Sequence, residues 1–183
     1  MDKIRNLRPE EIAILQSLPA AQRAGIRNAT LHNCFLGNNI LIENAHNYIA
    51  NYRIHDNCYI ENVNIMVVEG ETTFGNNVQV SVLNETGGRE VPIFNRLSAP
   101  LAYVIALYRH HPKLIGKLQE MIADYTKKLT SDYGTAGKDV KIINAGTIRN
   151  VDLGPYTTIE NYTRLENETI NSNEEAPVIS ATA

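Results

Sequence analysis

A chain of 183 residues suits one main folding unit, since domains commonly hold roughly 100 to 150 residues. Seventeen Lys and Arg against 20 Asp and Glu leave a net charge of −3, which gives no general attraction for phosphate backbones or anionic lipid and argues against nucleic-acid and membrane partners. No basic-then-apolar leader opens the chain and no apolar run approaches the roughly 20 residues that cross a bilayer, so a cytoplasmic protein is expected.

Pro9-Glu10-Glu11 opens a short helix carrying Ile12, Leu15 and Leu18, with acidic residues suited to the positive end of its dipole. Residues 1–25 are expected to form a helical cap on the rest of the chain. From residue 26 the apolar residues Leu36, Ile42, Tyr48, Ile54, Ile60 and Met66 recur at six-residue intervals, separated by polar residues such as Asn38, Asn39, Asn44, Glu61 and Asn62. Neither a helical nor an alternating strand period produces this spacing. Three six-residue sides, each a short strand ending in a turn, complete one rung of a left-handed parallel β-helix. Leu36 then stacks on Ile54, Ile42 on Ile60, and Tyr48 on Met66. Asn, present 21 times and mostly within residues 28–84 and 144–173, tolerates the left-handed backbone that sharp corners require. Cys34 and Cys58 lie two residues before repeat leaders and read as small inward residues, too few for a disulfide framework and without zinc spacing.

The phase slips at residues 68–73, where Glu69-Gly70-Glu71 suggests an extra loop, and resumes with Phe74-Gly75-Asn76-Asn77-Val78, so coils are expected over 26–97. Helical spacing replaces the repeat over 98–134. Ser98 and Pro100 mark a helix start, Leu101, Val104, Ile105 and Tyr108 share one face, and Pro112 redirects the chain. Leu114, Leu118, Met121, Ile122, Tyr125 and Leu129 form the stripe of a second helix, making an inserted hairpin that ends near Gly134. Coils return over 135–183, with Leu153, Ile159 and Leu165 as leaders and Thr157, Thr163 and Thr169 in the small inward slot. No capping helix comes after the last repeat, and truncation is the expectation. Tyr48, Tyr108 and Tyr125 are expected in the core, with Tyr52 and Tyr59 left open.

Two groups of residues carry the chemistry. Asn84-Glu85-Thr86-Gly87-Gly88-Arg89-Glu90 joins two glycines, which admit unusual backbone geometry, to an arginine able to grip a phosphate or carboxylate. It has no P-loop or dinucleotide spacing. The alternative is a tight turn whose Arg89 pairs with Glu85 or Glu90. Arg109-His110-His111 offers a ligand contact and two candidate general bases for deprotonating an acceptor hydroxyl or amine, while histidines at a helix end also simply complement its dipole. His32, His46 and His55 share no metal-ligand spacing, so no metal site is expected.

The segments Ile4-Arg5-Asn6-Leu7, Pro9-Glu10-Glu11-Ile12, Phe74-Gly75-Asn76, residues 84–90 and Tyr108-Arg109-His110 give the chain a family likeness. On them it resembles the N-terminal part of a bacterial family known only as domain-of-unknown-function family 4954, whose members are several times longer. The resemblance implies a bacterial, cytoplasmic β-helix protein with no assigned reaction. Two function classes stay open. One is a transferase that moves an acyl or nucleotidyl group onto a sugar or nucleotide-sugar, its cofactor unspecified. The other is a non-catalytic scaffold that displays residues 98–134 and assembles as a homotrimer through flat faces.

Overall fold

The computed structural model describes residues 24–82, 87, 88 and 90–181. The expected N-terminal helix, save its last two residues, falls outside the described residues, as do Asn84, Glu85, Thr86 and Arg89. The chain is mainly β. Strands β1 (Gly25–His32), β2 (Phe35–Leu36), β3 (Leu41–Ala50), β4 (Tyr52–Ile54) and β5 (Tyr59–Val67) come first. A segment with β6 (Val78–Ser81), β7 (Glu90–Ile93) and two helices, α1 (Ala99–Leu107) and α2 (Pro112–Leu129), intervenes. Strands β8 (Gly134–Ala136), β9 (Lys141–Leu153), β10 (Thr158–Glu160), β11 (Arg164–Ile170) and β12 (Ile179–Ala181) complete the chain.

All but β6 and β7 join one ten-stranded, wholly parallel sheet that curls as the chain returns to pair with itself. Three stacks of paired residues result. Ile26, Ile42, Ile60, Ile142 and Ile159 lie in register in the first, Leu31, Ile49, Met66, Ile148 and Leu165 in the second, and Leu36, Ile54, Ala136, Leu153 and Ile170 in the third. Ile42, Ile60, Ile142 and Ile159 are wholly enclosed. Burial of each such side chain stabilises the fold by roughly 1.5–3 kcal/mol, which makes these columns the backbone of its stability. The stacking expected for Leu36 on Ile54 and Ile42 on Ile60 is observed. That of Tyr48 on Met66 is not. The register shifts between Ala45 and Tyr48, one extra residue widens this side, and Ile49 takes the inward place over Met66 while Tyr48 is exposed.

The corners explain the asparagines. Twelve of the fifteen described non-glycine residues with positive φ are Asn, from Asn28 at 47° to Asn77 at 68°. Because equivalent corners sit one strand spacing apart, their amides can bond in series. Asn28 Nδ2 donates to Asn44 Oδ1 (2.9 Å), Asn44 to Asn62 (3.2 Å), Asn62 to Asn144 (3.0 Å) and Asn144 to Asn161 (3.1 Å). A second series runs from Asn33 to Asn51 and from Asn150 to Asn167. At its centre Asn51 Nδ2 bonds the Val68 carbonyl and the Glu69 N–H bonds Asn150 Oδ1, so backbone groups continue the ladder where the insertion departs. After six of these corners the next residue turns inward. Ala45, Cys58, Val63, Val140, Ala145 and Val151 are all buried. Cys58 fills the small slot expected of it, with burial pushing its thiol up to about 11, whereas Cys34 is only half-buried. Tyr52 occupies the same kind of position, fully buried, because Gly134 pairs with it and has no side chain to compete. A Cβ there would lie 2.5 Å from the ring. The Tyr52 hydroxyl donates to the Val151 carbonyl at 2.9 Å.

The parallel sheet pauses after Val67 and resumes at Gly134. The resumption of the repeat that spacing predicts at Phe74–Val78 is therefore not observed. β6 pairs only with β7, antiparallel, and the stem is closed by reciprocal backbone hydrogen bonds between Thr72 and Ser131. Val91, Ile105, Ala106 and Ile122 form a second, smaller core, flanked by Phe94, Leu97, Leu101 and Leu118. Two helices lie within the span expected to be helical, but their faces are turned. Ile115, Ile122 and Thr126 are the buried residues of α2, while Leu114 and Met121 are exposed, and Tyr108 after α1 is exposed as well.

Candidate functional site

Gly87 and Gly88 connect β6 to β7 with φ of 86° and 91°, values that side chains strongly disfavour. The Gly88 N–H donates to Glu90 Oε1 at 2.7 Å, so this amide is engaged by the protein's own carboxylate rather than free for an incoming anion. That bond, joined by the Glu90 backbone and the Arg109 charge, lowers the Glu90 carboxyl below its ordinary range. Arg109, from the turn between α1 and α2, donates to the Glu90 carbonyl. The fold thus brings together two groups distant in sequence. It uses the arginine as a brace, with Arg109 Nε buried and without a hydrogen-bond partner among the described residues. His110 and His111 pack 4.2 Å apart and stack on Tyr108 at 5.7 and 6.5 Å between ring centroids. His111 joins Tyr108, Pro112, Lys113 and Leu114 around an open, mostly apolar hollow of about 590 Å³.

A more polar arrangement lies where the insertion meets the third stack of strands. Asn76, almost fully buried, ties the two together. Its Nδ2 donates to the Thr73 carbonyl (2.7 Å) and to Thr169 Oγ1 (2.9 Å), and its Oδ1 accepts the Asn95 N–H (2.7 Å). Thr169 Oγ1 donates to the Phe74 carbonyl, and the Asn171 side chain donates to the Asn95 carbonyl. Gly75 admits the contact because a Cβ would lie 2.1 Å from the Asn167 carbonyl oxygen. This docking places Asn95 and Arg96 beside the strands.

Asp152 stands in the outward column Arg53, Thr135, Asp152, Thr169 of the third stack. Two hollows share it. One of about 470 Å³ is lined by Asn95, Arg96, Asp152, Asn171, Ser172 and Asn173 among others. The second, about 410 Å³, includes His55, Thr135, Lys138 and Asp152, and both take Gly154 and Pro155 as common wall. Burial raises the Asp152 carboxyl above its ordinary range, against hydrogen bonds from the Thr135 side chain and from the Thr135 N–H, which donates to Oδ1 at 3.2 Å. Lys138 is paired with Asp139 at 3.4 Å. Arg96 lies 5.4 Å from the Tyr125 ring and makes no ion pair among the described residues. Sequence reasoning missed Asp152 and Arg96. The one signal was an aspartate within a strand, where that residue type is depleted. Among the described residues no group of three or more His, Cys, Asp or Glu could hold a metal ion, and no helix is long and apolar enough to cross a membrane.

Residues 8–182 match the family described as Domain of unknown function (DUF4954). The chain belongs to that family. A DUF4954 assignment carries no reaction with it. The chain is also similar to an uncharacterised protein of Treponema pallidum (strain Nichols), 25% identical over 164 residues that cover 84% of this chain and 22% of the relative. It thus spans about a fifth of that relative's length. No solved structure matches the chain.

Proposed function

We propose that this DUF4954 chain is a left-handed β-helix of hexapeptide type whose junction with the insertion supports transfer of an acyl or nucleotidyl group to a hydroxyl of a sugar or nucleotide-sugar. The observation that carries the reading is Asp152, one carboxyl shared by two adjoining hollows. Group transfer needs a donor and an acceptor to meet at a base, and two sites with a common titratable wall supply that geometry. A carboxyl raised by burial is a stronger base than an exposed one. As carboxylate it takes the acceptor hydroxyl proton while that oxygen bonds to the donor's carbonyl carbon or phosphorus, and the thioester C–S or phosphoanhydride P–O bond breaks to release thiolate or pyrophosphate. In this reading the base is Asp152. His110 and His111 sit beside a mainly apolar hollow that offers few groups to orient a polyol. A cytoplasmic setting and trimeric assembly through the flat faces complete the proposal.

The scaffold reading rests on a separate observation. α1 has no charged side chain, and Tyr103 and Leu107 on it are exposed, which suits an assembly surface.

A thermal-shift screen of the full chain against acyl-coenzyme A, nucleotide sugars and sugar phosphates, followed by turnover assays on the hits, separates the two. The transferase reading expects a hit whose turnover is abolished by Asp152→Asn and retained by His110→Ala. No shift across the panel, or full turnover in Asp152→Asn, would overturn it in favour of the scaffold.

A further inference from the structure

The hollow on the Arg96 side has a hydrogen-bonding inventory that selects its ligand. Asn95 Oδ1 is occupied by the Tyr125 hydroxyl at 2.8 Å, and Asn173 Oδ1 by the Ala176 N–H at 2.8 Å. Both residues line the hollow, and the Nδ2 donor of each has no partner among the described residues. Ser172 Oγ accepts the Val178 N–H at 2.9 Å, which leaves its hydroxyl proton to donate. Arg96 adds donors that no carboxylate among the described residues pairs with. Against these stand the Asp152 carboxyl, whose lone pairs exceed the two hydrogen bonds that Thr135 gives it, and Asn171 Oδ1, whose own Nδ2 is held by the Asn95 carbonyl.

A neutral polyol can pair with both the donors and the acceptors through its hydroxyls, but it leaves the Arg96 charge without a counter-charge. An anion with several oxygens satisfies the donors, and Arg96 suits it by its planar fork of N–H groups. The remaining acceptors then fit hydroxyls. We infer that the Arg96 hollow is a subsite for a phosphate-bearing sugar, with the phosphate on Arg96, Asn95 and Asn173 and a sugar hydroxyl turned to Asp152. The inference rests on the transferase reading and specifies which side of Asp152 takes the charged substrate. The other hollow, where Lys138 is already paired, is left for the second substrate.

The test is calorimetric titration of the full chain with inorganic phosphate, glucose and glucose 1-phosphate. Glucose 1-phosphate should bind at least tenfold more tightly than glucose, and inorganic phosphate should compete with it. Asn173→Asp is the informative variant, because it keeps the oxygen that accepts the Ala176 N–H and replaces the Nδ2 donor by negative charge. It should weaken glucose 1-phosphate at least tenfold while glucose binding and the melting temperature stay unchanged. Arg96→Gln should do the same, with partial rescue in Arg96→Lys. Equal affinity for glucose and glucose 1-phosphate, or an unaltered phosphate preference in Asn173→Asp, would overturn the subsite and leave sugar binding standing. Absence of binding by all three probes would overturn the subsite together with the transferase reading beneath it.

Discussion

In the curled sheet, Ile42, Ile60, Ile142 and Ile159 are enclosed on every side by copies of the same environment, whereas the insertion encloses only Val91, Ile105, Ala106 and Ile122 and leaves Tyr103, Leu107, Leu114 and Met121 exposed. The sheet repeats one solution along each column and closes its corners with amide ladders. The insertion packs two helices on a two-stranded hairpin, an element that is marginal alone. The difference teaches where uniform packing gives way to polar surface. Buried apolar side chains are concentrated in the columns, and the polar hollows lie at the seam, where a less uniform element is tied down by Asn76.

Breaking the column should have the largest effect. Ile60→Ala leaves a cavity in the middle of the first stack and is expected to cost about 4 kcal/mol, measurable as a lower urea midpoint. Asn62→Val tests the corners. A β-branched residue at φ 52° adds backbone strain, and two ladder bonds are lost, for a combined cost of about 3 kcal/mol. Asn62→Gly removes the amide without the strain and should cost about half as much, so the two variants together apportion strain and ladder. Equal stability of Asn62→Val and the parent chain would refute the ladder's role. Ile122→Ala should cost about 2 kcal/mol, felt locally. Hydrogen exchange should quicken in residues 90–129 and hold steady in β5 and β9, and uniform loss of protection would show the two regions to be a single cooperative unit.

The smallest effect has a sign opposite to the others. A carboxyl raised in the folded state favours folding while protonated, so its contribution is present below the ordinary carboxylate range and is lost as pH rises towards the raised value. Asp152→Asn should therefore melt no lower than the parent chain at neutral pH, with any advantage shrinking as pH falls. Thermal melts between pH 4 and pH 8 check this, and a lower melting temperature at neutral pH would assign Asp152 a structural role instead.

Much of the column structure was legible because six-residue spacing and left-handed asparagines are local signals. Ile42, Ile60, Leu153 and Ile159 are inward as expected. Tyr48 was misplaced because a single extra residue in one side shifts the inward set by one, and nothing between Ala45 and Ile49 announces it. Phe74-Gly75-Asn76 imitates a coil corner, since Phe74 and Gly75 do take positive φ, yet it serves to dock the insertion. Arg109 and Glu90 belong to separate candidate groups in the sequence, and the Arg109 hydrogen bond to the Glu90 carbonyl brings these two together for reasons of architecture. Asp152 and Arg96 were illegible as a pair. Their proximity depends on the column register of β8, β9 and β11 and on the Asn76 tether, neither of which a linear pattern reveals.

The stem at Thr72 and Ser131 bears on how such a chain could change over generations. Tyr59 pairs with Lys141 just as Leu41 pairs with Tyr59, so the strands keep count as though the intervening segment were absent. That segment is a pendant whose two ends already touch. It can lengthen, shrink or be exchanged for another without re-registering a single column. One wall of the Arg96 hollow can therefore be replaced while the wall bearing Asp152 is inherited intact.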